Sequence, residues 1–69
     1  MKIIYHNRIT VDSNLCHIVI VENPFPPTAY EIACLVNYHP EGYTMKSEVV
    51  TEIGFNSYLV TWVSWNNCD

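Results

Sequence analysis

Positive charge is scarce in this sequence, which contains three basic residues, Lys2, Arg8 and Lys46, against seven acidic ones. Proteins that bind DNA or RNA neutralise phosphates with clusters of Lys and Arg, and three scattered cations form no such cluster. The same deficit argues against an anionic membrane surface. A net charge of −4 therefore predicts no direct nucleic-acid partner and no membrane partner.

Long apolar runs are also lacking. None approaches the ~20 residues that a membrane-spanning helix needs, and the start, MKIIYHNR, lacks the apolar stretch of a signal peptide. The three cysteines are an odd number, which fits a reducing compartment better than a disulfide scaffold. We therefore expect a cytoplasmic protein with three free thiols.

Glycine and charge are sparse, with 2 glycines and 14% charged residues, whereas 49% of the chain is hydrophobic. Such a composition is too apolar for a disordered segment. The 69 residues suffice for one domain, spanning residues 1–69. Since a chain this short buries only about 60% of its unfolded surface, we expect apolar surface that the core does not hide.

Motifs with known chemistry are missing too. The sequence has no Gly-rich phosphate loop, no G-x-S-x-G and no H-E-x-x-H. Cys16 and His17 cannot form a nucleophile pair within a strand, because neighbours there point to opposite faces. The histidines and cysteines also lack the close pairs of zinc sites. We expect no catalytic residues, no cofactor and no metal, and a metal-linked or redox domain is the least favoured alternative.

Turn-forming residues divide the chain into segments at 12–14, 23–27, 39–42 and 54–57. Residues 2–11 alternate as a strand does, with Asn7-Arg8 as a candidate bulge. Residues 15–22 include apolar residues at both odd and even positions, and therefore on both sides of a strand. This pattern predicts a central strand covered on both faces. Across the first turn, His6 and His17 could face each other and titrate near neutral pH.

Residues 28–38 fit two structures. Thr28 and Glu31 match a capping box, and Ala29, Ile32, Ala33 and Val36 share one helical face. The same segment also alternates as a strand would. The cap favours a helix, which predicts an α+β fold in β-β-α-β-β order, with one helix on a small antiparallel sheet. The alternative is a small all-β barrel.

Residues 43–53 and 58–65 predict a hairpin closing at Gly54–Ser57. A turn centred on Phe55-Asn56 places Val49 opposite Trp62 on the core face. The other face then carries more apolar residues than a solvent face needs. It is either partly covered by the helix or the termini, or it is a protein-binding surface. The predicted binding residues are the apolar Trp65, Val63, Leu59 and Val50, with Glu48 and Glu52 as the rim.

The run from Ile18 to Val50 contains a strand, a capped helix and then Tyr38-His39-Pro40-Glu41-Gly42-Tyr43-Thr44-Met45. It resembles the small inhibitor of bacterial RNA polymerase from bacteriophage T7, and the chain as a whole is similar to small phage-encoded inhibitors of host or defence machinery, including anti-CRISPR proteins. The resemblance covers under half of the chain and carries over no functional residue. It implies a non-enzymatic inhibitor or adaptor in the host cytosol.

The expected partner is thus a bacterial protein or protein complex, blocked by occupation of its surface. The alternative is a structural or assembly module that forms a homo-oligomer through the apolar hairpin face. Under the first hypothesis the chain is a monomer, and under the second it is at least a homodimer.

Overall fold

The computed structural model of the chain describes residues 1–12, 14–36 and 43–66, and the side chains of all of these except residues 43, 44, 65 and 66. Its elements follow the order β1 (Lys2–Val11), β2 (Asn14–Glu22), α1 (Ala29–Val36), β3 (Tyr43–Gly54) and β4 (Ser57–Asn66). The predicted β-β-α-β-β order and α+β class are therefore confirmed.

The four strands form one antiparallel sheet in the spatial order β1-β2-β4-β3. The apolar strand β2 is central, as its composition predicts, and its second neighbour is the equally apolar β4. Within the described chain β1 and β3 each pair with one neighbour, so the sheet is open and the alternative barrel does not form.

Helix α1 begins where the capping box predicts. The backbone amide of Glu31 donates to the Thr28 hydroxyl at 3.1 Å, and that hydroxyl in turn donates to the Glu31 carboxylate at 3.2 Å. The amide of Ile32 donates to the carbonyl of Thr28 at 3.3 Å. The Thr28 side chain thus satisfies one of the amides that a helix start leaves without partners, and its carbonyl accepts the first intrahelical hydrogen bond. The predicted end of this segment, residues 37 and 38, lies outside the described residues.

Thr28→Ala is expected to lower the free energy of unfolding by about 1 kcal/mol, because the amide of Glu31 loses its hydroxyl acceptor. Thr28→Ser is the matched control and should stay close to the unsubstituted chain, since it keeps the hydroxyl. Urea denaturation followed by circular dichroism measures both. Equal losses in the two variants would show that the hydroxyl does not stabilise the helix.

The core lies between α1 and one face of the sheet. Its buried apolar residues are Ala29, Ile32 and Ala33 from the helix, Val19 and Val21 from β2, and Tyr58, Val60 and Trp62 from β4. The prediction that Trp62 is a core residue is confirmed. The prediction that β2 is covered on both faces is wrong for the described residues. The one helix among them, α1, packs on one face of the sheet only.

The β3–β4 hairpin closes at Gly54–Ser57 around Phe55 and Asn56, as predicted. The predicted register next to this turn is wrong by one residue. Val49 lies opposite Thr61 and not opposite Trp62. One irregularity between Glu52 and Gly54 accounts for the shift. Because side chains alternate with period two, a slip of one residue moves the side chains of residues 49–52 to the other face.

A second irregularity in β3 lies between Lys46 and Val49, where Ser47 takes a left-handed φ of 56°. Such a bulge adds an unpaired residue and bends the strand. In β1 the register shifts between Ile3 and Tyr5, and not at Asn7-Arg8 as predicted. All three irregularities are therefore in the edge strands, whereas the β2–β4 pairing is continuous from Leu15 to Glu22.

Candidate protein-binding face

The sheet face that points away from α1 is the candidate functional site, and we call it the open face. Its membership follows from the register, because residues directly opposite in adjacent antiparallel strands share a face. The central strands supply Cys16, Ile18, Ile20, Leu59, Thr61 and Val63. The edge strands supply Tyr5, Asn7, Ile9, Val11, Val49 and Thr51, of which Asn7, opposite Ile18, and Thr51 are polar.

Solvent reaches the flanks of the open face. Tyr5 is 46% exposed, Ile9 45%, Val11 48% and Val49 52%. The central residues, among them Ile18, Ile20 and Leu59, are half-buried. Their shielding comes from neighbours on the same face, because the helix of the described chain lies on the opposite side. The open face is therefore a largely apolar surface on which no residue of the described ranges forms a second layer.

Charge on the open face lies at its margins. Lys2 pairs with Glu22 at one end of the β1–β2 ladder, and Lys46 lies on the edge strand β3 opposite Val63. The two rows between these positions, one through Ile20 and Leu59 and one through Ile18 and Thr61, contain no Lys, Arg, Asp or Glu in the described strands. An apolar centre with charged margins is the usual anatomy of a protein–protein interface.

The predicted binding residues are divided between the two faces. Leu59 and Val63 lie on the open face. Val50 and Glu52 lie opposite Val60 and Tyr58, hence on the helix side, because the irregularity between Glu52 and Gly54 shifts the register by one residue. Glu48 lies within the bulge, and Trp65 is opposite Thr44 in the ladder, but its side chain is outside the described residues.

The contribution of β1 and β2 to this face is not among the residues predicted from the sequence. Residues 15–22 indicate this contribution, because their apolar side chains occur at both odd and even positions. That pattern shows that a second apolar face exists. It does not show whether the chain's own elements cover that face, which depends on the number of layers in the fold.

A second cluster lies on the helix side, where His17 is buried at 1% exposure among aromatic rings. Its imidazole stacks on the Trp62 indole with ring centroids 4.7 Å apart and on His6 at 6.4 Å. Nε2 of His17 and Oγ of Ser64 share a hydrogen bond of 2.9 Å. Among the described residues, Nδ1 of His17 and Nε1 of Trp62 have no hydrogen-bond partner.

The pKa of His17 is lowered from 6.5 to about 4, mainly by burial and additionally by the nearby His6 and Arg8. A doubly protonated ring needs an acceptor at each nitrogen, and only Nε2 has a partner in the described structure. The stacking confirms that His6 and His17 meet across the first hairpin. The prediction that this pair titrates near neutral pH is wrong for His17, because the ring is desolvated.

The remaining reactive groups are dispersed. Cys16 is a free thiol on the open face and Cys34 is a free, exposed thiol on α1, while Cys68 lies outside the described residues. The described residues contain no group of three or more His, Cys, Asp or Glu side chains arranged to hold a metal ion. None of the described helices is long and apolar enough to span a membrane.

Comparison of the chain with protein-family models, with curated protein sequences and with solved structures finds no match in any of the three. Its function is therefore inferred from the sequence and the geometry of the chain.

Proposed function

We propose that this chain acts without catalysis, by binding another protein through the open face of its sheet. The observation that carries the proposal is that the two central strands, β2 and β4, are apolar on both faces while the helix covers one. A sheet with one solvated face alternates apolar and polar residues. Here Ile18, Ile20 and Leu59 occupy positions where that alternation requires polar side chains.

Binding offsets the cost of keeping such a surface in water. Burial of apolar area is favourable by about 25 cal/mol per Å², and contiguous apolar patches larger than a few hundred Å² on small proteins usually mark interaction sites. Two-layer packing around a core is also the common architecture of sheets. A partner on the open face would supply the layer that the described chain does not.

An inhibitor or adaptor is the role that this surface serves best. A protein that blocks a complex by occupying a surface needs an apolar contact area and a polar margin, and it needs no pocket or nucleophile. The resemblance to small phage-encoded inhibitors of host or defence machinery supports a bacterial protein or protein complex as the target. The low content of Lys and Arg supports a protein rather than a nucleic acid.

Affinity capture from bacterial lysate tests the proposal with the full chain as bait. Ile18→Lys places a charge at the centre of the open face and is expected to weaken capture about 30-fold, as truncation of a hot spot worth about 2 kcal/mol does. Leu35→Lys is the matched control, because Leu35 is 56% exposed on the helix and lies away from that face. Its capture should equal that of the unsubstituted chain.

Circular dichroism verifies that both variants fold before the comparison. Capture that survives Ile18→Lys, or that is lost with Leu35→Lys alone, would place the binding surface on the helix side and contradict the proposal.

A further inference from the structure

We infer that the open face pairs with the open face of a second copy of this chain, so that two sheets form a β-sandwich with the helices outside. This inference rests on the proposed function, since it uses the same face as a protein-binding surface. It adds a second copy of the chain as a partner of that face in the absence of a target. A partner of different sequence would then have to compete with the second copy.

The size of the open face suits such a dimer. Four strands about 4.8 Å apart and about nine residues long, at about 3.3 Å per residue, give a face on the order of 600 Å². Two copies would then bury on the order of 1,200 Å², which reaches the lower end of the range for stable, specific interfaces. Sheets packed face to face lie about 10 Å apart, which side chains such as Ile and Leu fill.

The charge distribution permits self-association. The positions nearest the centre of the face are Ile18, Thr61, Ile20 and Leu59, and none of them is charged. Two copies can therefore meet without bringing like charges together in a desolvated interface, although each has a net charge of −4. Lys2, Glu22 and Lys46 stay at the margins, where water can solvate them.

The edges of the sheet argue against the other common route to a dimer, which is strand addition. All three basic residues of the chain lie in the edge strands, Lys2 and Arg8 in β1 and Lys46 in β3. Both edges also carry bulges, next to Ile3 and at Ser47. Edge charges and bulges are the devices that hinder edge-to-edge pairing, whereas the open face has no such protection.

Sedimentation of the full chain over a concentration series measures the association. From about 1 to about 100 μM, a span that includes the micromolar affinity of a weak interface, the mass is expected to rise from 8.0 kDa to twice that value. Ile18→Lys and Thr61→Lys should both stay at 8.0 kDa, and Leu35→Lys should dimerise. Thr61→Lys keeps the test decisive if Ile18→Lys fails to fold.

Thiol labelling identifies the surface. In a Cys68→Ser background, Cys16 on the open face should react about tenfold more slowly in the dimer, as its fraction in free monomer falls. Cys34 is exposed on the helix and should react at one rate throughout, which makes it an internal control. A dimer whose Cys16 reactivity does not change with concentration would use another surface and would overturn the inference.

A chain that remains at 8.0 kDa at the highest concentration would also overturn it. The proposed function would still stand in that case, provided that Ile18→Lys abolishes capture of a different protein. The two failures are thus distinguishable.

Discussion

Replacement of Trp62 by alanine is expected to lower the free energy of unfolding by about 3–5 kcal/mol, the usual cost of removing a large aromatic side chain from a core. Trp62 is 1% exposed, lies in the central strand β4 and stacks on His17 at 4.7 Å. A domain of this size has a total stability of roughly 3–10 kcal/mol. If the stability of the unsubstituted chain lies in the lower part of that range, the variant should be largely unfolded at 37 °C.

Two comparisons make the result specific. Trp62→Phe keeps part of the ring and removes the indole N–H, which has no partner in the described structure, so it should cost less than half as much as Trp62→Ala. Phe55→Ala removes an aromatic that is 91% exposed in the hairpin turn and should change stability little. Thermal melts followed by circular dichroism measure all three. A melt of Trp62→Ala that coincides with that of Phe55→Ala would contradict the assignment of Trp62 to the core.

Acidification is expected to destabilise the chain through His17 by on the order of 3 kcal/mol, since a pKa difference of one unit is worth about 1.4 kcal/mol. The pKa of His17 is lowered from 6.5 to about 4 by burial, with His6 and Arg8 as further causes. Above pH 6.5 the ring is neutral in both states and the full stability is present. Between pH 6.5 and pH 4 the unfolded chain binds the proton more readily, so stability falls as the pH falls.

Below about pH 4 the folded state also binds the proton, and this contribution does not fall further. Urea denaturation at several pH values between 4 and 7 measures the slope. His17→Gln cannot titrate and should lose most of the slope in that window. His6→Gln, which changes the exposed partner of the stack, should keep most of it, because burial is the largest cause. An unchanged slope in His17→Gln would show that His17 is solvated in the folded state.

Much of the fold follows from local signals in the sequence. The capping box at Thr28 and Glu31 predicts the start of α1, and the turn residues at 54–57 predict the hairpin. The apolar run at residues 15–22 predicts a central strand. Each of these depends on residues close together in the chain, where spacing and turn chemistry determine the structure.

The register of β3 could not be predicted in the same way. Serine is not a residue that signals a left-handed conformation, yet Ser47 adopts one and ends the alternation that the sequence displays. The bulge at Ile3–Tyr5 likewise occurs within an apolar run without glycine. The irregularity between Glu52 and Gly54, next to the turn, places Val50 and Glu52 on the face opposite to the predicted one. Leu59 and Val63, in the unbroken strand β4, lie together on one face as predicted.

The open face and the His17 cluster depend on contacts that are distant in sequence. The pairing of β2 with β4 determines which side chains lie beside Ile18 and His17. The sequences of the two strands would allow several registers of that pairing. The stack of His17 on Trp62 therefore has no local signature. The surplus of apolar residues was visible in the composition, but its position was not.

The continuous β2–β4 ladder also has a consequence for how the chain folds. The two hairpins, β1–β2 and β3–β4, join neighbouring segments and can close on microsecond timescales. The central ladder instead joins residues as distant as Leu15 and Ser64, with the helix and a strand in between. Closing that long loop costs chain entropy before any central pairing repays it. Docking of one preformed hairpin on the other should therefore limit the rate of folding, and each hairpin exposes apolar residues on both faces until it docks.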